Sequence, residues 1–107
     1  MKRGDIVTVA LQGDHGKPRP ALVIQSDRFN QSSHVAVLLL TSFAANAPLI
    51  RIAIEALETT GLTLRSYVML DRITTAPRDK VRAVIGCVDA ATLLEVTRSL
   101  AVYLGFG

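Results

Sequence analysis

Arg19 stands between Pro18 and Pro20, after the polar run Gly13-Asp14-His15-Gly16-Lys17 and before the apolar run Ala21-Leu22-Val23-Ile24. Each proline fixes its own φ and drives the residue ahead of it, Lys17 or Arg19, towards an extended backbone. Two cations therefore leave a stiff segment at the mouth of a strand. A guanidinium held in this way can meet two phosphate oxygens at once, and Lys17 is a candidate contact to a backbone phosphate. Further along, Thr41-Ser42 closes a buried-strand pattern. A threonine hydroxyl there can donate to a phosphate oxygen. If the early strands pair antiparallel, the start of one and the end of the other meet on one rim.

Other chemistries find less support. His15 and His34 lie far apart, and no HxH, HExxH or CxxC spacing occurs, so no protein-held metal is expected. GxGxxG, GxxxxGK[ST] and GxSxG are all missing, which disfavours a nucleotide cofactor and a serine hydrolase. A metal-free set of Arg, Thr or Ser, Asp and His suits RNA cleavage. The 2′-hydroxyl is a built-in nucleophile, so the protein need only move protons and stabilise charge on a pentacoordinate phosphate. His15 has a pKa range that fits proton transfer. Arg72, Arg78, Lys80 and Arg82 crowd one segment against only Asp71 and Asp79. That cluster is either a solvated face or a groove for a polyanion.

The elements that must position these residues follow from patterning. The chain has 107 residues and a net charge of +3, one domain's worth over residues 1–107. No run of about 18 apolar residues exists, so no membrane span is expected. Met1-Lys2-Arg3 leads into Gly4-Asp5 rather than an apolar stretch, which argues against a secretory signal. The lone Cys87 cannot form an internal disulfide and fits a reducing, cytoplasmic setting; its apolar surroundings predict a small buried hydrophobe.

Strands are predicted over 5–11, 19–25, 35–40, 49–54, 66–70 and 81–88, with Gly86 a possible bulge. A single helical turn is expected over 26–30, and a turn from Asp71 to Asp79 at Pro77. Asp89 caps a helix whose apolar face is Leu93, Val96, Thr97, Leu100, Ala101 and Leu104, with Gly105 as its stop. The pattern predicts a mainly β fold with α, a small barrel or twisted sheet carrying one late helix.

Arg3-Gly4-Asp5-Ile6-Val7, Arg19-Pro20-Ala21-Leu22-Val23-Ile24, Leu40-Thr41-Ser42, Gly61-Leu62 and Ile85-Gly86 ahead of a helix resemble the MazF/PemK toxins over nearly the whole chain. The resemblance implies a small SH3-like (PemK/CcdB-type) barrel with a C-terminal helix, assembled as a homodimer. It further implies a metal-independent endoribonuclease that cuts single-stranded RNA at short motifs and is restrained by a cognate antitoxin. Such enzymes leave 2′,3′-cyclic phosphate and 5′-hydroxyl ends. The family's catalytic arginine corresponds to Arg19, its threonine to Thr41, and an aspartate used by some members to Asp71.

The family's common Gly-Ser/His-Glu-Gln segment is replaced by Gly13-Asp14-His15-Gly16-Lys17, so Asp14 or His15 would have to supply any acid–base role there. Expected RNA contacts are Asp14, Lys17, Ser42, Arg72, Arg78 and Lys80. Two other readings share the fold: a CcdB-type toxin that traps DNA gyrase, and an RNA-binding relative that has lost catalysis.

Overall fold

Among the described residues, short β-branched and leucine-rich segments build six strands: β1 (Asp5–Val9), β2 (Arg19–Val23), β3 (His34–Thr41), β4 (Arg51–Ile54), β5 (Ser66–Pro77) and β6 (Val81–Cys87). One helix follows, α1 (Ala90–Leu104). The computed structural model describes residues 1–11 and 17–107. All strand pairs are antiparallel, in the order β4-β5-β3-β2-β1-β6.

That order forces curvature. β5 and β6 lie at opposite ends of the run β5-β3-β2-β1-β6, yet only residues Arg78–Lys80 separate them in the chain. In a flat sheet the ends would stand about 19 Å apart, four strand spacings, and that link reaches about 14 Å at most. The sheet therefore curls until its ends meet. The Ala10 N–H donates to the Lys80 carbonyl at 3.0 Å and the Arg78 N–H to the Ser33 carbonyl at 2.9 Å, fastening the seam.

Both faces of the central strands are buried, which explains the near-continuous apolarity of β2 and β3. Val7, Val9, Ala21, Val23, Val35, Val37, Leu39 and Ala76 fill the inside of the curl. Ile6, Leu22, Leu38 and Leu40 face the other way, packing with Ile52, Ile54, Val68 and Leu70 and with Val96 of α1. Leu93 and Leu100 complete that helix contact.

The helix is capped by Asp89, which accepts the Thr92 N–H at 2.8 Å. It ends at Gly105 in the left-handed region, φ +88°. Arg3 ties it to the sheet, donating to the Ile24 carbonyl at 3.3 Å and to the Thr97 hydroxyl.

Several expectations are corrected. The segment from Asp71 to Asp79 is strand for most of its length. On β3, Leu38 and Leu40 pair with Ile73 and Val68, so the extra β5 residues bulge out between those pairs. The bulge absorbs the bend expected of a turn, because β3 still offers partners to Ile73-Thr74-Thr75-Ala76. Pro77 ends the strand. Cys87 is exposed: it ends β6, an edge strand, and Val88 takes the buried position instead. β1 stops at Val9 and β2 at Val23, while β4 begins at Arg51.

Gly61 and Gly86 let two backbones cross. A Cβ on Gly61 (φ +70°) would lie 1.9 Å from the Ile85 carbonyl oxygen, and one on Gly86 2.3 Å from the Thr60 carbonyl oxygen. Ile85 is skipped in the β1–β6 register, which places a bulge beside Gly86.

Gly61→Ala is expected to cost at least about 2 kcal/mol, combining left-handed strain with a backbone clash. Gly105→Ala, at a comparable φ but with open space around it, should cost only the strain, roughly 1–2 kcal/mol. Equal losses of Tm in the two variants would refute the crossing argument. A second expectation concerns acid. The backbone N–H of Thr92, and then its side chain, hold the Asp89 carboxyl below its ordinary value. Its contribution is therefore complete above that ordinary value and fades as pH falls through the lowered one. Asp89→Asn should be less stable than the parent near neutrality, the gap closing in denaturant titrations as the pH falls below the ordinary aspartate value.

Candidate active site

The β2–β3 register pairs Val23 with Val37, Leu22 with Leu38 and Ala21 with Leu39. Two residues beyond that last pair, Arg19 and Thr41 line the same cleft. Thr41 pairs in turn with Tyr67, and Tyr67 with Ala53; on the other side Arg19 pairs with Val9. Thr41, Tyr67 and Ala53 thus form one cross-strand row, with the Val9–Arg19 pair across the cleft from it. Directly opposite residues share a face, with Cβ atoms about 5 Å apart. Inside the barrel this face is apolar; at the strand ends it opens to solvent, and the residues there become polar.

Arg19 and Thr41 together bound a cleft with two lobes. One lobe, about 240 Å³, is walled by Pro20, Ser42, Leu62, Thr63, Leu64 and Ser66. The other, about 350 Å³, is walled by Leu11, Leu39, Met69 and Arg72. The β5 bulge is what lets Arg72 enter this space. Thr41 accepts the Phe43 backbone N–H on Oγ1 at 3.1 Å. That contact occupies a lone pair and leaves the O–H free to donate outward.

The fold brings Arg19, Thr41, Ser42 and Arg72 to one cleft. Exposed Lys17 lies two residues from Arg19. Lys80 sits beside Ala10, next to the Val81–Val9–Arg19 line. Arg78 is elsewhere: its Nε donates to the Ser32 carbonyl at 2.6 Å, at the far end of β3, about 23 Å of strand from Thr41. Asp71 neighbours Arg72 in the bulge but lines neither lobe. It pairs with Arg51 at 2.6 Å, and Arg51 also donates to the Ile50 carbonyl at 3.0 Å. His34 contacts Ser33 through Nδ1 at 3.0 Å, remote from the cleft. Asp14 and His15 lie outside the described residues.

Sequence reasoning missed Tyr67 as a neighbour of Thr41 and the Leu62–Leu64 wall. The pairing depends on the β5 bulge, which no residue pattern announces. Among the described residues no three His, Cys, Asp or Glu side chains converge in a metal-binding group, and no helix is long and apolar enough to cross a membrane.

Residues 2–104 match the PemK-like, MazF-like toxins of type II toxin–antitoxin systems. The chain belongs to that family. A probable endoribonuclease MazF of Mycolicibacterium smegmatis is 42% identical over 106 residues, 98% of this chain and 97% of that protein. Among solved structures, an endoribonuclease in complex with its cognate antitoxin from a mycobacterial species superposes with a TM-score of 0.83 at 24% identity, covering 100% of this chain and 97% of that one. A MazE–MazF structure from Deinococcus radiodurans gives a TM-score of 0.80 at 23% identity, covering 100% and 97%. These structures share the PemK-like architecture found here, a six-stranded antiparallel sheet with one C-terminal helix. The expected fold class and family both hold.

Proposed function

We propose that this toxin is a metal-independent, sequence-selective endoribonuclease acting on single-stranded RNA. The observation that carries the reading is the meeting of Arg19, Thr41 and Arg72 on one open cleft. Membership of the toxin family and the likeness to a probable endoribonuclease support it.

In this mechanism the 2′-hydroxyl attacks the adjacent phosphorus, the P–O5′ bond breaks, and 2′,3′-cyclic phosphate and 5′-hydroxyl ends result. Arg19 spans two non-bridging oxygens as negative charge grows on them, and the Thr41 hydroxyl donates to one. Arg72 meets a phosphate from the opposite wall of the cleft. The 2′-hydroxyl loses a proton and O5′ gains one; His15 and Asp14, in the segment leading to Lys17-Pro18-Arg19, are our candidates for these transfers. Asp71, paired with Arg51 beyond the cleft wall, acts at one remove by fixing the bulge that presents Arg72. Lys17, Ser42 and Lys80 extend the phosphate track, whereas Arg78 is placed to serve only a longer RNA.

The reading includes two protein partners. One is a cognate antitoxin, acidic and partly disordered, whose charge would complement the cleft. The other is a second copy of the chain. Leu49, Ile50, Ser99, Val102 and Tyr103 border an apolar groove of about 440 Å³, and the chain carries no charged residue from Ser99 to Gly107. Leu49 is 88% exposed and Val102 67%, a contiguous apolar surface of the sort that interfaces cover. Self-association across this groove makes the homodimer.

Arg19→Ala should lower kcat/KM for RNA by roughly 100-fold or more while the protein stays folded, and cutting by the parent should persist in EDTA. Replacing the scissile 2′-hydroxyl with hydrogen should abolish cleavage. Cutting of that deoxy substrate would exclude the cyclic-phosphate route, and intact RNA alongside blocked DNA supercoiling would point to the gyrase-directed alternative. For assembly, Val102→Glu is expected to shift the sedimentation coefficient from dimer to monomer; a parent protein that sediments as a monomer would refute the dimer.

A further inference from the structure

We propose that Tyr67 is the stacking platform for the nucleobase flanking the scissile phosphate. The inference rests on the RNA-cleavage reading and adds to it a base subsite on β5.

The geometry comes from the cross-strand row. Thr41 lines the cleft with Arg19 and pairs across the sheet with Tyr67. A phosphate held between Arg19 and Thr41 therefore has Tyr67 one strand beyond Thr41, a backbone spacing of about 5 Å. Tyr67 belongs to neither apolar core, since its neighbours Ser66 and Val68 take the buried positions. It is half-buried, anchored in a strand and open towards solvent. Across β4 its partner is Ala53, too small to cover an aromatic ring.

The ring already receives a flat cation. The Arg65 guanidinium carbon lies 5.7 Å from the ring centroid, and Arg65 pairs with Glu55 at 3.0 Å, both side chains 57% exposed. An exposed cation–π contact and an exposed ion pair are weak holds. A nucleobase on an aromatic face is held more strongly and without demanding one base identity. The guanidinium thus occupies the place a base takes, and once displaced it is free to meet a phosphate. Tyrosine also suits strands in general. That preference accounts for an aromatic somewhere in β5, whereas the row accounts for one beside Thr41.

The test pairs a protein change with a substrate change. On the RNA that the parent protein cuts fastest, abasic residues are placed in turn on either side of the cut. At one of these positions base removal should raise KM about fivefold or more. In Tyr67→Leu the same removal should have no further effect, since platform and base are one interaction. Tyr67→Phe should keep the full penalty, and so should Phe43→Leu, whose ring is also exposed near the site. An undiminished penalty in Tyr67→Leu, or one lost only in Phe43→Leu, overturns the proposal while cleavage itself stands. A parent protein that cuts no RNA overturns both.

Discussion

Burial on both faces of β2 and β3 fixes the register on which the site depends. In a sheet with one solvated face a strand can slip by two residues at modest cost. Here Ala21 and Val23 point into the curl while Leu22 points to the helix side, and Val37, Leu38 and Leu39 mirror them. A one-residue slip would exchange every side chain between two differently shaped cores. Arg19 and Thr41 lie outside both cores, yet this fit brings them to one cleft.

Position along the strand then decides chemistry. The same face that carries Val9, Ala21 and Leu39 inside the barrel reaches solvent where β2 begins and β3 ends. Apolar contacts there would be half wasted, while cations and hydroxyls remain hydrated and able to bind. Thr41 gains further definition from the chain beyond it. The Phe43 N–H donates to its oxygen and so helps to hold the side chain in place while the O–H can still donate. The β5 bulge works similarly for Arg72. It inserts unpaired residues beside the rim, where a continued ladder would have turned them along the strand.

The fold was legible to the extent that local pattern determines it. Asp89, the apolar face through Val96 and the Gly105 stop defined the helix, because capping and periodicity are short-range. The Pro-flanked Arg19 and the strand-ending Thr41 were legible for the same reason. Non-local terms account for the rest. Nothing in Asp71 to Pro77 distinguishes a turn from a bulged strand; β3 on its far side decides. Cys87 looked apolar by its neighbours, but an edge strand has no second layer to bury it. Tyr67 is not announced as a neighbour of Thr41, because its cross-strand partners Thr41 and Ala53 are distant in sequence.

The separation of Asp71 from Arg72 shows how little sequence adjacency says about role. Both sit in one bulge, yet one charge turns to Arg51 and the other to the cleft. Paired with Arg51, Asp71 lines neither lobe, whereas Arg72 enters the cleft beside Arg19 and Thr41.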